Sequence, residues 1–273
     1  MKLILPMLIV CALLSACAPF ESRFLRVPMR TWTPPERAEV LDIPGDDSAI
    51  IKAWIFRPSN SSNAERLPAL IIAHGRSDVM GDYRVFGPEV ADASGHAVVL
   101  FDYRGFGASS ELDSPTRQSM IEDTRSLIDS ISQREDLDRD RFILWGISLG
   151  AYPTAANFID DDRINALVLW GAPANIHDVI RDGHDELNPM TQLVARVLIP
   201  RHRAPEDELE HAGTRPVLIA HAQHDEIVHV RHAYALHEAA PNSMLLIDET
   251  GTHATISSET LNAIIEWTRS QTP

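Results

Sequence analysis

Three features of the sequence predict an α/β fold: a mostly parallel sheet with helices on both faces, entered through an antiparallel hairpin. First, short continuous apolar runs recur from residue 69 to residue 248: "ALIIA", "HAVVLFD", "RFILWGI", "INALVLW", "RPVLIAHA" and "SMLLID". Runs of this kind suit strands buried on both faces. Second, segments of helical period separate them, and such alternation is the pattern of a parallel sheet covered on both sides. Third, "EVLDIP" and "AIIKAWIF" flank the turn-rich insert "GDDS", which reads as a hairpin ahead of the parallel strands.

The intervening segments justify themselves in turn. Residues 83–94 read as a helix closed by Gly95, where a left-handed cap belongs. Ser114-Pro115 is a start signal for a helix running to about residue 135, with Met120, Ile121, Thr124, Leu127, Ile128 and Ile131 on one face. Further helices are expected over 149–159, 229–239 and 255–270, the last with Ile256, Leu261, Ile264, Ile265 and Trp267 as its apolar face. One stretch breaks the rhythm. Residues 173–214 join two strands, and connections of that length are uncommon in compact domains unless they carry function. They contain the apolar "MTQLVARVLIP" beside the polar "EDELEHAG", so this segment reads as a small helical cap over the strand ends. Residues 39–273 form one domain with this cap inserted.

The amino terminus has a different character. Met1-Lys2 gives one positive charge and residues 3–14 are almost wholly apolar. That run is shorter than the roughly 20 residues a spanning helix needs, and residues 1–16 read as an export signal. They end in "LSAC", which resembles the bacterial lipobox, whose cysteine becomes lipidated; here that is Cys17. Ala18 follows it where aspartate would be associated with inner-membrane retention. The resemblance therefore implies a lipid anchor in the outer membrane, with the protein facing the periplasm. Residues 17–38, with prolines at 19, 28, 34 and 35, read as a tether. Cys11 falls in the segment to be removed, so one cysteine remains and no disulfide is expected.

A net charge of −15 argues against nucleic acid as a partner, because phosphate binding needs clustered Lys and Arg. It also argues against adhesion to anionic lipid through protein charge, leaving acyl chains as the means of membrane attachment.

The candidate chemistry centres on "GISLG" at 146–150. This is the G-x-S-x-G pattern of a nucleophile elbow, in which glycines allow a tight strand-to-helix turn and the serine hydroxyl stands above the sheet. Ligands of open parallel sheets bind beyond the carboxyl ends of the strands, and Ser148 lies at such an end. A bare hydroxyl is a weak nucleophile and needs a base. Among 12 histidines, His253 lies in the loop between the last strand and the last helix, and is the candidate base. Asp225, in the loop after "VLIAHA", is the candidate acid to orient it, ahead of the neighbouring Glu226 and of Asp248 at the end of the last strand. The backbone N–H of Leu149 is one candidate donor to a developing oxyanion. The N–H of Arg76, after His74-Gly75, is the other. His221, His224 and His229 lie near Asp225, but their spacing matches no metal-ligand set, and no metal or other cofactor is expected.

The order Ser148, Asp225, His253 and the motif "DYRGFGASS" at 102–110 resemble the α/β-hydrolase family over about residues 40–270. The resemblance implies a serine hydrolase of the esterase, thioesterase or acyl-peptide hydrolase kind, acting on a small-molecule acyl substrate. It implies a structural role for the 102–110 loop. "HGRSD" departs from the more glycine-rich or apolar stretch of many relatives, and it is the segment that holds Arg76. Two alternatives stay open: a non-catalytic hydrolase-like envelope lipoprotein, since fold alone does not give function, and a peptidase of the same fold.

Overall fold

A computed structural model describes residues 21, 25, 30–62, 66–182 and 199–272. The strands are β1 (Glu39–Pro44), β2 (Ile50–Phe56), β3 (Leu67–Ala73), β4 (Ala97–Phe101), β5 (Leu137–Ile147), β6 (Ile164–Trp170), β7 (Val217–Ala222) and β8 (Met244–Asp248). They form one sheet in the order β1-β2-β4-β3-β5-β6-β7-β8. β1 and β2 pair antiparallel, with Glu39 opposite Ile55 and Pro44 opposite Ile50, and β2 runs antiparallel to β4. Every later pairing is parallel. This is the α/β-hydrolase arrangement expected from the sequence.

The central strands are buried along their whole length in β3, β4 and β7, which is why their sequences run apolar without alternation. The helices are α1 (Phe86–Ser94), α2 (Arg117–Ile131), α3 (Ala151–Asp160), α4 (Ile176–Asp182), α5 (Pro205–Leu209), α6 (Arg231–Ala239) and α7 (Ser258–Ser270). One face of the sheet carries a core in which Leu127, Tyr152, Phe158 and Leu236 meet Ile71 and Leu144. The other carries Val90, Ala91 and Ile264 against Leu70, Trp145 and Val168. α1 and α7 therefore cover one face, and α2, α3 and α6 the opposite one.

Several boundaries differ from the sequence reading for local reasons. α2 begins at Arg117, not at Ser114-Pro115. The Thr116 hydroxyl accepts from Ser119 N at 3.1 Å while Ser119 Oγ accepts from Thr116 N at 3.0 Å, a reciprocal cap. β5 starts four residues before "RFILWGI", because Leu137 pairs with Leu67 across a register irregularity in spite of the polar "DRDR". α7 begins at Ser258, with the Ser257 hydroxyl accepting from Thr260 N at 3.2 Å. Gly95 closes α1 at φ 76°, where a glycine is the unstrained residue.

Of the 173–214 connection, α4 and α5 are described; the apolar "MTQLVARVLIP" lies mostly outside the described residues, as do residues 1–20 with Cys17. The stretch read as a tether is not wholly free of the domain. Glu21 and Leu25 are buried against it, and Arg37 forms a bidentate pair with Asp92 of α1 at 2.8 Å. At its described positions, charged and apolar side chains of this stretch have partners on the globular surface.

Candidate active site

The candidate site lies at the carboxyl ends of β5, β7 and β8. Ser148 follows β5 directly and opens a single 3-10 turn, Ser148–Gly150, that leads into α3. Its φ is 51°, in the left-handed region that a serine seldom occupies. Such strain persists only where the surroundings enforce it. Here they are the neighbouring glycines. A Cβ on Gly150 would run into the Ala73 carbonyl at the end of β3, and one on Gly146 into the Thr154 hydroxyl. The turn can thus lie directly against β3 and α3 only because both positions lack side chains. The result leaves the Ser148 hydroxyl partly exposed at the apex.

His253 arrives from the loop after β8, and Asp248 shapes that loop. Asp248 Oδ1 accepts from Thr250 N (3.0 Å) and Gly251 N (2.9 Å), and Oδ2 accepts from Ser257 N (2.7 Å). Burial alone would raise this carboxyl, but the donors from Ser257, Thr250 and Gly251 outweigh it and bring the group down to about 2. The loop is closed by reciprocal backbone hydrogen bonds between Thr252 and Thr255, on either side of the imidazole. Asp248, a rival for the acid position, is therefore occupied in holding the loop. Glu226, the other rival, is exposed.

The three residues singled out from the sequence meet. His253 Nε2 lies 3.0 Å from Ser148 Oγ, and His253 Nδ1 lies 2.7 Å from Asp225 Oδ2. Asp225 is 5% exposed, so its carboxylate has to find its donors within the protein. Its Oδ1 accepts from Ile227 N (2.9 Å) and Val228 N (2.7 Å). Burial pushes this carboxyl up, but hydrogen bonds from His221 and His253 and from the Val228 N–H prevail and hold it well below the usual carboxylate range. A hydroxyl, an imidazole and an ionised carboxylate linked in series can draw a proton off the hydroxyl and stabilise the imidazolium that results.

Leu149 N sits at the first turn after Ser148. Gly75 brings the other loop against the elbow: a Cβ there would sit 3.2 Å from Ser148 Cβ, so the chain entering Arg76 packs directly on the elbow. His74, buried beneath, points its Nδ1 at the Gly75 carbonyl at 2.8 Å and packs against Tyr103 at a tilt of 59°, with centroids 4.6 Å apart. Asp102 fixes the 102–110 loop: Oδ1 accepts from Met80 N (2.7 Å) and Oδ2 from Ala108 N (2.8 Å). Arg104 donates through Nε to Asp123 at 2.5 Å.

Two contributors had no clear signal in the sequence. Gly171, at the end of β6 with φ 55°, lies under the His253–Asp225 pair; a Cβ there would be 3.5 Å from both Asp225 Oδ2 and His253 Nδ1. His221 is fully buried in β7, with Nε2 2.7 Å from the Val228 carbonyl and 3.4 Å from Asp225 Oδ2. Its place four residues before Asp225 was visible in the sequence, but a buried histidine and a solvated one look alike there. His224 and His229 are exposed, and among the described residues no group of three His, Cys, Asp or Glu side chains is placed to hold a metal ion.

Comparison with known proteins fits this picture. Residues 64–215, more than half of the chain, match the family model described as serine aminopeptidase, S33. The chain belongs to this family of α/β-hydrolases. It is 27% identical over 226 residues to the uncharacterized protein YfhR of Escherichia coli (strain K12), covering 79% of this chain and 73% of that one. It is 28% identical to the quorum-quenching protein AidA of Acinetobacter baumannii over 134 residues, 47% of this chain and 42% of AidA. Among solved structures, the Pyrococcus furiosus esterase Pf2001 superposes with a TM-score of 0.73 at 17% identity, covering 90% of this chain and 97% of the esterase. Est1E of Butyrivibrio proteoclasticus, solved with ferulic acid bound, superposes with a TM-score of 0.66 at 21% identity over 84% of this chain and 97% of Est1E. At such identities the likeness is one of fold.

Proposed function

We propose that the protein is a serine hydrolase of carboxylic esters or thioesters, a carboxylesterase that works through Ser148, His253 and Asp225. His253 Nε2 takes the proton as Ser148 Oγ attacks the acyl carbon. The N–H groups of Leu149 and Arg76 receive the oxyanion, and His253 returns the proton to the leaving oxygen or sulfur. Water, deprotonated by the same imidazole, then adds to the acyl-enzyme and releases the acid and Ser148. Asp225 keeps His253 in the Nδ1–H tautomer throughout. The observation that carries this reading is the pair of hydrogen bonds of 3.0 and 2.7 Å joining three residues far apart in sequence. The apolar segment within 173–214 supports an acyl or aromatic substrate over a sugar.

The test is labelling with a fluorophosphonate together with hydrolysis of p-nitrophenyl esters of rising chain length. Wild-type protein is expected to label and turn over, and Ser148→Ala to do neither; labelling that survives the substitution rejects the assignment. The family description favours a second reading, an aminopeptidase. Aminoacyl p-nitroanilides assayed beside the esters separate the two. In line with the "LSAC" signal, we place the protein at the cell envelope, anchored through acyl chains on Cys17 and facing the periplasm. Incorporation of radiolabelled palmitate, abolished by Cys17→Ser, is the expected result.

A further inference from the structure

His221 stands in β7, between β6 and β8, and is fully buried. A buried imidazole has two nitrogens to satisfy, and here their surroundings differ. Nε2 lies 2.7 Å from the Val228 carbonyl and 3.4 Å from Asp225 Oδ2. Both neighbours are oxygens that accept, since the donors around Asp225 keep its carboxyl ionised, so the ring carries its proton on Nε2. Nδ1 is buried with no hydrogen-bond partner among the described residues. An orphaned polar atom of that kind costs stability that an apolar residue in β7 would not. Packing therefore gives no reason for a histidine here, and the reason lies with Nε2.

The Nε2–H closes a circuit. Asp225 Oδ1 accepts from Ile227 N and Val228 N, so residues 225–228 curl around their own carboxylate. That turn grips Oδ1, but by itself it is weakly tied to the sheet: Asp225 N meets the Ala222 carbonyl at 3.3 Å, and Ile227 at its crest is 52% exposed. The Val228 carbonyl supplies the tie. Its hydrogen bond to a ring mounted on β7 fastens the end of the turn to the sheet. The same N–H faces Oδ2, the oxygen that meets His253 Nδ1 at 2.7 Å. Oδ2 thus touches two imidazoles, His221 from within β7 and His253 from the loop after β8, and rotation of the carboxylate about its Cβ–Cγ bond disturbs both contacts.

We propose that His221 is a positioning residue of the triad: its Nε2–H, by tying Val228 to β7 and facing Oδ2, aims the Asp225 carboxylate at His253. This rests on the serine hydrolase reading above. Being fully buried, His221 meets no substrate, so its loss acts on kcat through the direction of Asp225 and leaves KM alone.

The experiment varies where the donor sits. His221→Gln places an amide N–H near the position of Nε2, whereas His221→Asn places one near that of Nδ1, away from Val228. His221→Leu removes the donor altogether. The three are compared by kinetics on p-nitrophenyl butyrate, with thermal unfolding as the control for folding. A displacement of about 1 Å near the chemistry costs about 10² in rate. His221→Asn and His221→Leu are therefore expected to lose about 10² in kcat at unchanged KM, and His221→Gln to stay within about fivefold of wild type. In the Asp225→Asn background the carboxylate to be aimed is gone, so His221→Asn should lower kcat no more than about threefold further. Equal losses from His221→Gln and His221→Asn overturn the proposal, as does a loss carried by KM or one that persists in full in the Asp225→Asn background. If His221→Leu does not fold, the other two variants decide. A second readout needs no turnover. The low-field proton resonance of the His253 Nδ1–Asp225 hydrogen bond should persist in His221→Gln and vanish in His221→Asn, and its survival in both also rejects the role. Wild-type protein that neither labels with fluorophosphonate nor hydrolyses the ester fails at the hydrolase reading instead, and the resonance then still tests His221.

Discussion

Replacing Asp225 by Asn tests the proposed machinery at its least exposed member. Asparagine has nearly the same shape, so packing is preserved and the change is electrical. Its orientation is decided by the surroundings: Ile227 N and Val228 N point at Oδ1 from 2.9 and 2.7 Å, so the amide oxygen must stay there. The NH₂ is then forced to the Oδ2 position, 2.7 Å from His253 Nδ1. Two donors cannot face each other, so the imidazole adopts the Nε2–H tautomer and presents a proton, not a lone pair, to Ser148 Oγ. The base is lost without moving an atom. For a triad, this inversion costs about 10⁴ in kcat, or about 5.5 kcal/mol of transition-state stabilisation. Initial rates on p-nitrophenyl butyrate, with thermal unfolding as the control for folding, measure it. Asp248→Asn is the comparison: it loosens the loop and should cost about tenfold through misplacement of His253, with no tautomer change. An Asp225→Asn enzyme retaining more than about a hundredth of the wild-type rate would refute the reasoning, since no tautomer inversion permits that.

Other expectations follow from the same geometry. Arg76→Pro removes a backbone N–H and should lower kcat by about 10²–10³, while Arg76→Ala keeps that donor and should leave kcat within a few fold, which separates backbone from side chain at this position. Gly150→Ala should lose more than about 3 kcal/mol in urea unfolding, because the new Cβ meets the Ala73 backbone, which cannot yield. Gly213→Ala, at φ 64° with nothing within 4 Å, should lose only about 1 kcal/mol. Burial depresses His96 to about 4. The unfolded chain therefore binds the proton first, and the stability present above about pH 6.5 is lost as pH falls toward 4. His96→Gln should remove about 2 kcal/mol of the difference in unfolding free energy between pH 7.5 and pH 5; an unchanged slope would mean the ring is not desolvated.

The parts of the fold that were legible in the sequence are those governed by local rules. The sheet strands could be read because β3, β4 and β7 are buried on both faces and must be continuously apolar. The elbow could be read because its glycines answer to a steric demand: Gly146 and Gly150 sit where any side chain would strike α3 or β3. His253 and Asp225 followed from position, each in a loop after a strand at the same carboxyl end of the sheet as Ser148. What was not legible depends on which surfaces meet. Thr116, not Ser114-Pro115, caps α2, because its hydroxyl and that of Ser119 each accept from the other's backbone N–H, which only the folded turn brings within reach. Gly171 looks like any glycine after a strand until the His253–Asp225 pair is laid over it.

The amino-terminal arm shows the limit most clearly. Proline content does not report the partners that its described residues find: Glu21 is held by Arg117 of α2, Arg37 by Asp92 of α1, and Arg30 by Ser77 and Asp82 after β3.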